Sequence, residues 1–319
     1  MNIFVAGASG ALGVPLVQEL AKHGHRVTAM ARSVRRQGSD DPVEYVRVDA
    51  FDKPALTKAL KRSSPDVVID LLTSLPKNPA DLPNAFPHDR KLRLEGGSNL
   101  HSAALEVGVK RYVQQSSGFY LKPAHGDLAT EADLFQLDSS PGISAGSEMY
   151  QALEDRVFSD SRIEGIALRY GFFYGPGTWY CNDGGTADLL RQGALALVGE
   201  GRAVNSFIHV EDAALATLAA LHAEPGVYNI VDDDPVPVAE WLPAFAQFVG
   251  AAAPSHISEE EAMRTMGADA VFYHNGLKGA CNDKARKKLD IRPRRLEWLN
   301  PLRSSIHKSG RSLKEITDV

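Results

Sequence analysis

The run "SEMYQALEDRV", residues 147–157, sets Tyr150 on what its apolar spacing marks as an amphipathic helix. A phenol held on a helix can move a proton. Near the start of the chain, "VAGASGALG" places Gly7, Gly10 and Gly13 in the spacing GxxGxxG, after an apolar run and before a helical pattern. Glycines there permit a tight turn and let the pyrophosphate of a dinucleotide approach backbone N–H groups, with the helix dipole adding attraction. Ser9, Ala11 and Leu12 complete that expected cradle. The second apolar run ends "VTAMARSVRRQ". NAD sites usually put a carboxylate there to accept from the ribose 2′-OH. Here Ala31 takes that place and Arg32 follows, which suits a 2′-phosphate and hence NADP(H). Arg35 and Arg36 could add charge to the same phosphate.

Such residues need a scaffold. Apolar runs at 3–6, 26–31, 44–48, 67–72, 111–115 and 166–170 alternate with helical patterns such as "GVPLVQELAKHG" and "EGGSNLHSAALEVGV". This alternation predicts an α/β fold, a doubly wound parallel sheet with helices on both faces. The second half is less regular: "SFIHVEDAALATLAALHA" and "GVYNIVDDDPVPVAEWLPAFAQFVG" each read as a strand running into a helix that returns to the sheet or covers it. "PKNPADLPNAFP", with four prolines, reads as a loop, and the tail after Arg303 as an arm.

The chain has 319 residues, 44% hydrophobic and 24% charged, enough for a large core in one or two domains. Its net charge of -5 argues against a nucleic-acid partner. Two distant cysteines, Cys181 and Cys281, fit neither a disulfide framework nor a zinc site, and suit a reducing compartment. No charged leader precedes "NIFVAG", and no apolar run approaches the ~18 residues of a membrane span, so a cytoplasmic protein is expected.

Taken in order, "GASGALG", "VRVDAFD", "PDVVIDLL", "EGGSNLHSAALEVGVKRYVQQSS", "LRYGFFYGPG", "SFIHVEDAALATLAAL" and "NDKARKKLDIRPR" resemble the extended short-chain dehydrogenase/reductases, the NAD-dependent epimerase/dehydratase family. The resemblance runs nearly end to end. It implies a Rossmann domain at 1–175, rejoined by 207–235, and a smaller C-terminal α/β substrate-binding domain at 176–206 and 236–319. It puts Asp49 and Ala50 at the adenine, Leu71 and Leu72 on the strand beside the ribose, Ser116 near the ribose and Ser117 near the nicotinamide.

The family also implies a Ser/Thr–Tyr–Lys set, in which the lysine lowers the tyrosine pKa from its reference of about 10. Two registers are open. In one, Tyr150 is the tyrosine and Glu154 stands for the lysine. A carboxylate there raises the phenol pKa and favours carbonyl reduction over alcohol oxidation. In the other, Glu154 matches a glutamate the family carries two turns after the tyrosine, so Gly146 takes the tyrosine position and Tyr150 the lysine position. The lysine is gone in both. Tyr120 is a further phenol near the cleft, or packs against the sheet edge.

Other departures concern the substrate. Asn205 stands where nucleotide-sugar members carry an arginine, and Phe172 where they often carry asparagine. With the aromatics of "GFFYGPGTWY", these point to a less polar small molecule. An NADP(H)-dependent reductase of a small carbonyl compound is the expected function. An epimerase or dehydratase on a sugar-like substrate, and a non-catalytic NADP(H) sensor, are the alternatives. A homodimer is possible; neither membrane nor nucleic acid is expected as a partner. No metal is expected: 232–234, "DDD", reads as a turn. His209 and Asp212 read as a junction pair, 258–261 as a capping box, and the basic run with Arg292, Arg294 and Arg295 as solvated.

Overall fold

The computed structural model describes residues 1–31 and 42–299. Its centre is a seven-stranded parallel sheet. β1 (Asn2–Ala6) lies between β2 (Arg26–Met30) and β4 (Val67–Asp70), with β3 (Val43–Val46) outside β2 and β5 (Arg111–Ser117) outside β4. The sixth strand, Glu164–Tyr170, follows β5, and the seventh, Gly226–Ile230, closes that edge. The doubly wound sheet that the apolar alternation implies is thus present.

β1 shows why both faces are covered. Ile3 and Val5 enter one core with Leu16 and Val17 of α1 (Gly13–Lys22) and Ala213 of the helix Val210–Ala220. Phe4 and Ala6 enter the opposite core with Leu56 and Leu60 of α2 (Lys53–Ser63) and with Leu100 further along. Successive side chains of a strand point to opposite faces, so a run without polar alternation must be buried on both.

The prolines of "PKNPADLPNAFP" do not keep that segment a loop. A 3₁₀ turn at Pro79–Asp81 leads into α3 (Leu82–Lys91). Pro83 lies in the first turn, where no backbone N–H is needed, and only Pro87 falls within the body of the helix. A π-helical turn at Leu92–Gly96 joins α3 to α4 (Gly97–Val107). α5 (Pro141–Val157) packs on β5 and faces two cores at once: Val157 meets the sheet-side cluster, while Ile143, Tyr150 and Leu153 meet a third cluster holding Phe207, Trp241, Phe245 and Trp298. That third core joins α5 and the segment before it to the irregular second half.

Arg292 and Arg295 are exposed, as expected of a solvated turn, and Arg294 is half-buried, yet Arg294 and Arg295 both find acidic partners. Arg294 pairs with Asp212 at 2.8 Å and Glu211 at 3.0 Å, and Arg295 with Asp234 at 2.7 Å. Each finds an acid of the turn-and-helix segments it packs on. Of the expected capping box, Ser258 Oγ accepts from Glu261 N–H at 3.1 Å. Among the described residues no helix is long and apolar enough to cross a membrane.

Candidate active site

The glycine loop crosses the end of β1. Gly7 has φ +83°, a left-handed conformation that favours glycine, and a Cβ there would overlap the Leu71 carbonyl. A Cβ on Gly13 would overlap the Gly7 carbonyl. Ala8 N–H donates to Met30 O at 3.1 Å and Gly10 N–H to Gly7 O at 3.0 Å, closing the turn. The first turn of α1 carries no acidic residue and no side-chain cap, so its N-terminal dipole suits an anion, although Val14 N–H is bonded to Gly10 O at 3.1 Å and residue 15 is a proline. Ser9 and Gly10 are exposed at that end, Ala11 half-buried and Leu12 buried. This loop fits a dinucleotide pyrophosphate.

The remaining cofactor candidates lie around the same ends of the strands. Leu71 and Leu72 are buried just beyond β4, Leu71 N–H donating to Ala6 O at 3.0 Å and Leu72 N–H to Asp70 Oδ1 at 3.0 Å. Asp49 Oδ1 accepts from Phe51 N–H at 2.9 Å, and the carbonyl of buried Ala50 accepts from Asn99 at 3.2 Å. Arg32, Arg35 and Arg36 lie outside the described residues.

Glu154 does not sit against the phenol of Tyr150. It forms a buried bidentate pair with Arg169 of the sixth strand, with both N···O distances 2.8 Å. Ser116 donates its hydroxyl to Glu154 at 2.6 Å, so that side chain faces α5. Arg169 also donates to Asp133 O at 3.2 Å and lies 4.9 Å over the Phe135 ring. The trio ties α5 to β5 and the sixth strand. Ser117, at the end of β5, is buried and its Oγ accepts from Phe119 N–H at 3.4 Å.

Beyond Ser117 the chain turns into an aromatic wall. Phe119 stacks on Phe172 at 4.4 Å and meets Tyr120 edge-on at 4.7 Å. Tyr120 lies 6.0 Å from Tyr150 and 6.3 Å from Tyr273, ring centre to ring centre, and its hydroxyl is hydrogen-bonded to that of Tyr273. Tyr150 makes no such bond among the described residues. Burial raises its pKa, opposed by the Arg93 guanidinium and aided by Asp89. The cause is therefore burial and not Glu154. Arg93 lies 5.5 Å over the Tyr150 ring and pairs with Asp89 at 2.7 Å, both charges buried.

Tyr273, Asp89 and Arg93 are absent from the sequence reading. Asp89 and Arg93 are opposite charges one helical turn apart in the sequence, but they follow the proline-rich run and carry no motif of their own. Tyr273 lies far off in a stretch without a motif. His209 caps the helix Val210–Ala220, its Nδ1 accepting from Glu211 N–H at 3.2 Å. Among the described residues no cluster of His, Cys, Asp or Glu could hold a metal ion.

The arrangement has known counterparts. A model of the NAD-dependent epimerase/dehydratase family matches residues 3–231. A 3-diazoavenalumate denitrifying reductase from a Streptomyces species is 38% identical over 304 residues, covering 95% of this chain and 99% of the relative. A 2-alkyl-3-oxoalkanoate reductase from Stenotrophomonas maltophilia is 27% identical, covering 79% of this chain and 76% of its own. Among solved structures, a UDP-glucose 4-epimerase from Thermotoga maritima with UDP-glucose superposes with a TM-score of 0.72 at 19% identity, covering 97% and 99% of the two chains. A likeness at that identity is one of fold.

Proposed function

Because the chain belongs to the NAD-dependent epimerase/dehydratase family and is an oxidoreductase of the short-chain dehydrogenase/reductase type, we propose that it reduces a small, weakly polar carbonyl compound with NADPH. The observation that carries this reading is the aromatic wall of Phe119, Tyr120, Tyr150 and Phe172 directly beyond Ser117. Such a wall excludes water and suits an apolar substrate body. Two relatives named as reductases support it.

In this proposal the amides of Ser9 to Gly13 hold the pyrophosphate, and Arg32 and Arg36 the 2′-phosphate. Asp49 and Ala50 border the adenine; Leu71, Leu72 and the strand at Ser116 border the ribose. The bound dihydronicotinamide supplies the hydride. Ser117 and Tyr150 orient the carbonyl oxygen. Burial keeps the phenols of this wall protonated, which suits reduction.

The test is NADPH consumption by the purified protein against a panel of aldehydes and ketones. Turnover of a weakly polar member supports the reading. Tight NADPH binding without turnover favours a sensor, and interconversion of a nucleotide sugar with retained cofactor favours an epimerase. For the cofactor, Arg32→Ala is expected to weaken NADPH far more than NADH in a fluorescence titration; equal losses would overturn the NADP(H) assignment.

A further inference from the structure

We propose that Tyr120, with Tyr273 behind it, is the proton donor of this site. The inference rests on the carbonyl-reductase reading above and names the acid it requires. Tyr120 follows Ser117 by one short turn, so its buried phenol is positioned by the end of β5 and not by α5. On α5 the residue facing it is Gly146, and a Cβ built there would lie 2.9 Å from Tyr120 Cε2. Any side chain at 146 would push that ring away. The helix leaves room for a phenol that arrives from the strand.

The Tyr120 hydroxyl is bonded to the Tyr273 hydroxyl. Of two bonded hydroxyls one donates and the other accepts. When Tyr273 donates, the Tyr120 hydrogen is free to point at a substrate oxygen. Tyr273 is held in place for this. It lies on the helix Ala268–Asn275, one turn after Asp269, whose Oδ1 accepts from Gly142 N–H in the first turn of α5 at 3.1 Å. One helix face therefore clamps α5 and aims a hydroxyl at Tyr120. Tyr150, by contrast, has no hydroxyl partner among the described residues and lies under the Arg93 guanidinium.

The step balances. Hydride from the dihydronicotinamide bonds to the carbonyl carbon, and the C=O π pair moves to oxygen. The Tyr120 O–H breaks and its proton bonds to that oxygen. Tyr273 returns a proton to the Tyr120 phenolate and is itself reprotonated from solvent. The ketone or aldehyde is reduced to the alcohol and the dihydronicotinamide is oxidised.

The experiment compares Tyr120→Phe, Tyr273→Phe and Tyr150→Phe, each of which keeps its ring, with whichever panel compound the wild type reduces. Tyr120→Phe should lower kcat by at least roughly a hundredfold with NADPH affinity unchanged. Tyr273→Phe, which acts through Tyr120, should lower kcat by less and leave KM alone. Tyr150→Phe should act mainly on KM. Placing the phenol on the helix instead, in Tyr120→Ala/Gly146→Tyr, should recover part of the activity that Tyr120→Ala loses. Independently of activity, in cofactor-free protein labelled at the tyrosine ring carbons, Tyr273→Phe should shift the Tyr120 Cζ resonance and leave that of Tyr150 in place. Full kcat in Tyr120→Phe, a loss of kcat in Tyr150→Phe as large as in Tyr120→Phe, or an unmoved Tyr120 resonance overturns the assignment alone. A wild type that reduces nothing overturns the reductase reading and this proposal with it.

Discussion

Glu154 illustrates how little a residue's type says about its work. From its place one turn after Tyr150 it reads as a replaced catalytic lysine, yet its carboxylate is closed off by Arg169 and Ser116. The pair is buried on both sides, with side-chain exposures of 5% and 9%, so water cannot replace either partner. Removing one partner of such a pair strands the other and costs about 3–5 kcal/mol. Glu154→Ala is therefore expected to lower Tm sharply, while exposed Glu148→Ala on the same helix leaves it nearly unchanged. Thermal melts of the two variants decide the matter. Comparable melting temperatures for both would show that the pair adds no net stability. The type and spacing of Glu154 were legible in the sequence; its partner, on a strand beyond the next loop, was not, because pairing at that range follows from the sheet order.

At the scale of elements, the sheet strands were readable as short apolar runs, because both faces of the sheet are covered, and the helices between them by their period. What escaped was set by contacts outside the element. α3 forms through prolines whose missing N–H groups fall mostly where a helix needs none. α5 starts at Pro141 after Ser140, whose side chain makes no cap. Its first-turn donor is met by Asp269 from a different helix. No local pattern could show that cap. Losing a capping acceptor costs typically ~1 kcal/mol. Asp269→Ala should thus lower Tm by a few degrees and Asp269→Asn, which keeps the acceptor oxygen, by less. A melt in which both variants match the wild type would mean that α5 starts without this contact. Of the candidate site, the glycine loop and Tyr150 stand out by local pattern and Ser117 only through the family resemblance, whereas the contact of Tyr273 with Tyr120 follows only from the packing of distant segments.

On the scale of the whole molecule, the second half is fastened to the sheet by charge at the C-terminal end of the seventh strand. Asp232 is buried there with Oδ2 unpaired, while Asp233 pairs with Arg286 and Asp234 with Arg295. Burial pushes the Asp232 carboxyl up to about 8, the N–H of Asp234 opposes this, and the charges of Asp234, Asp233 and Asp212 add to it. Tyr174, whose pKa rises mainly by burial, and His209, held below its usual value, complete the surroundings. The folded state thus holds a proton that the unfolded chain gives up near its reference of about 3.9. Between about 4 and about 8 the native state binds more protons, so this group's stabilisation is lost as pH rises and is gone above its folded value. Histidines act with the opposite sign on the acid side; burial pushes His274 down to about 4, for example. Comparing variant with wild type cancels their contribution. Asp232→Asn keeps the neutral shape and cannot ionise. Its melting temperature should exceed that of the wild type by a margin that widens from about pH 5 to about pH 8. A margin independent of pH would show that Asp232 is ionised in the folded protein, and that the junction holds a buried charge in place of a proton.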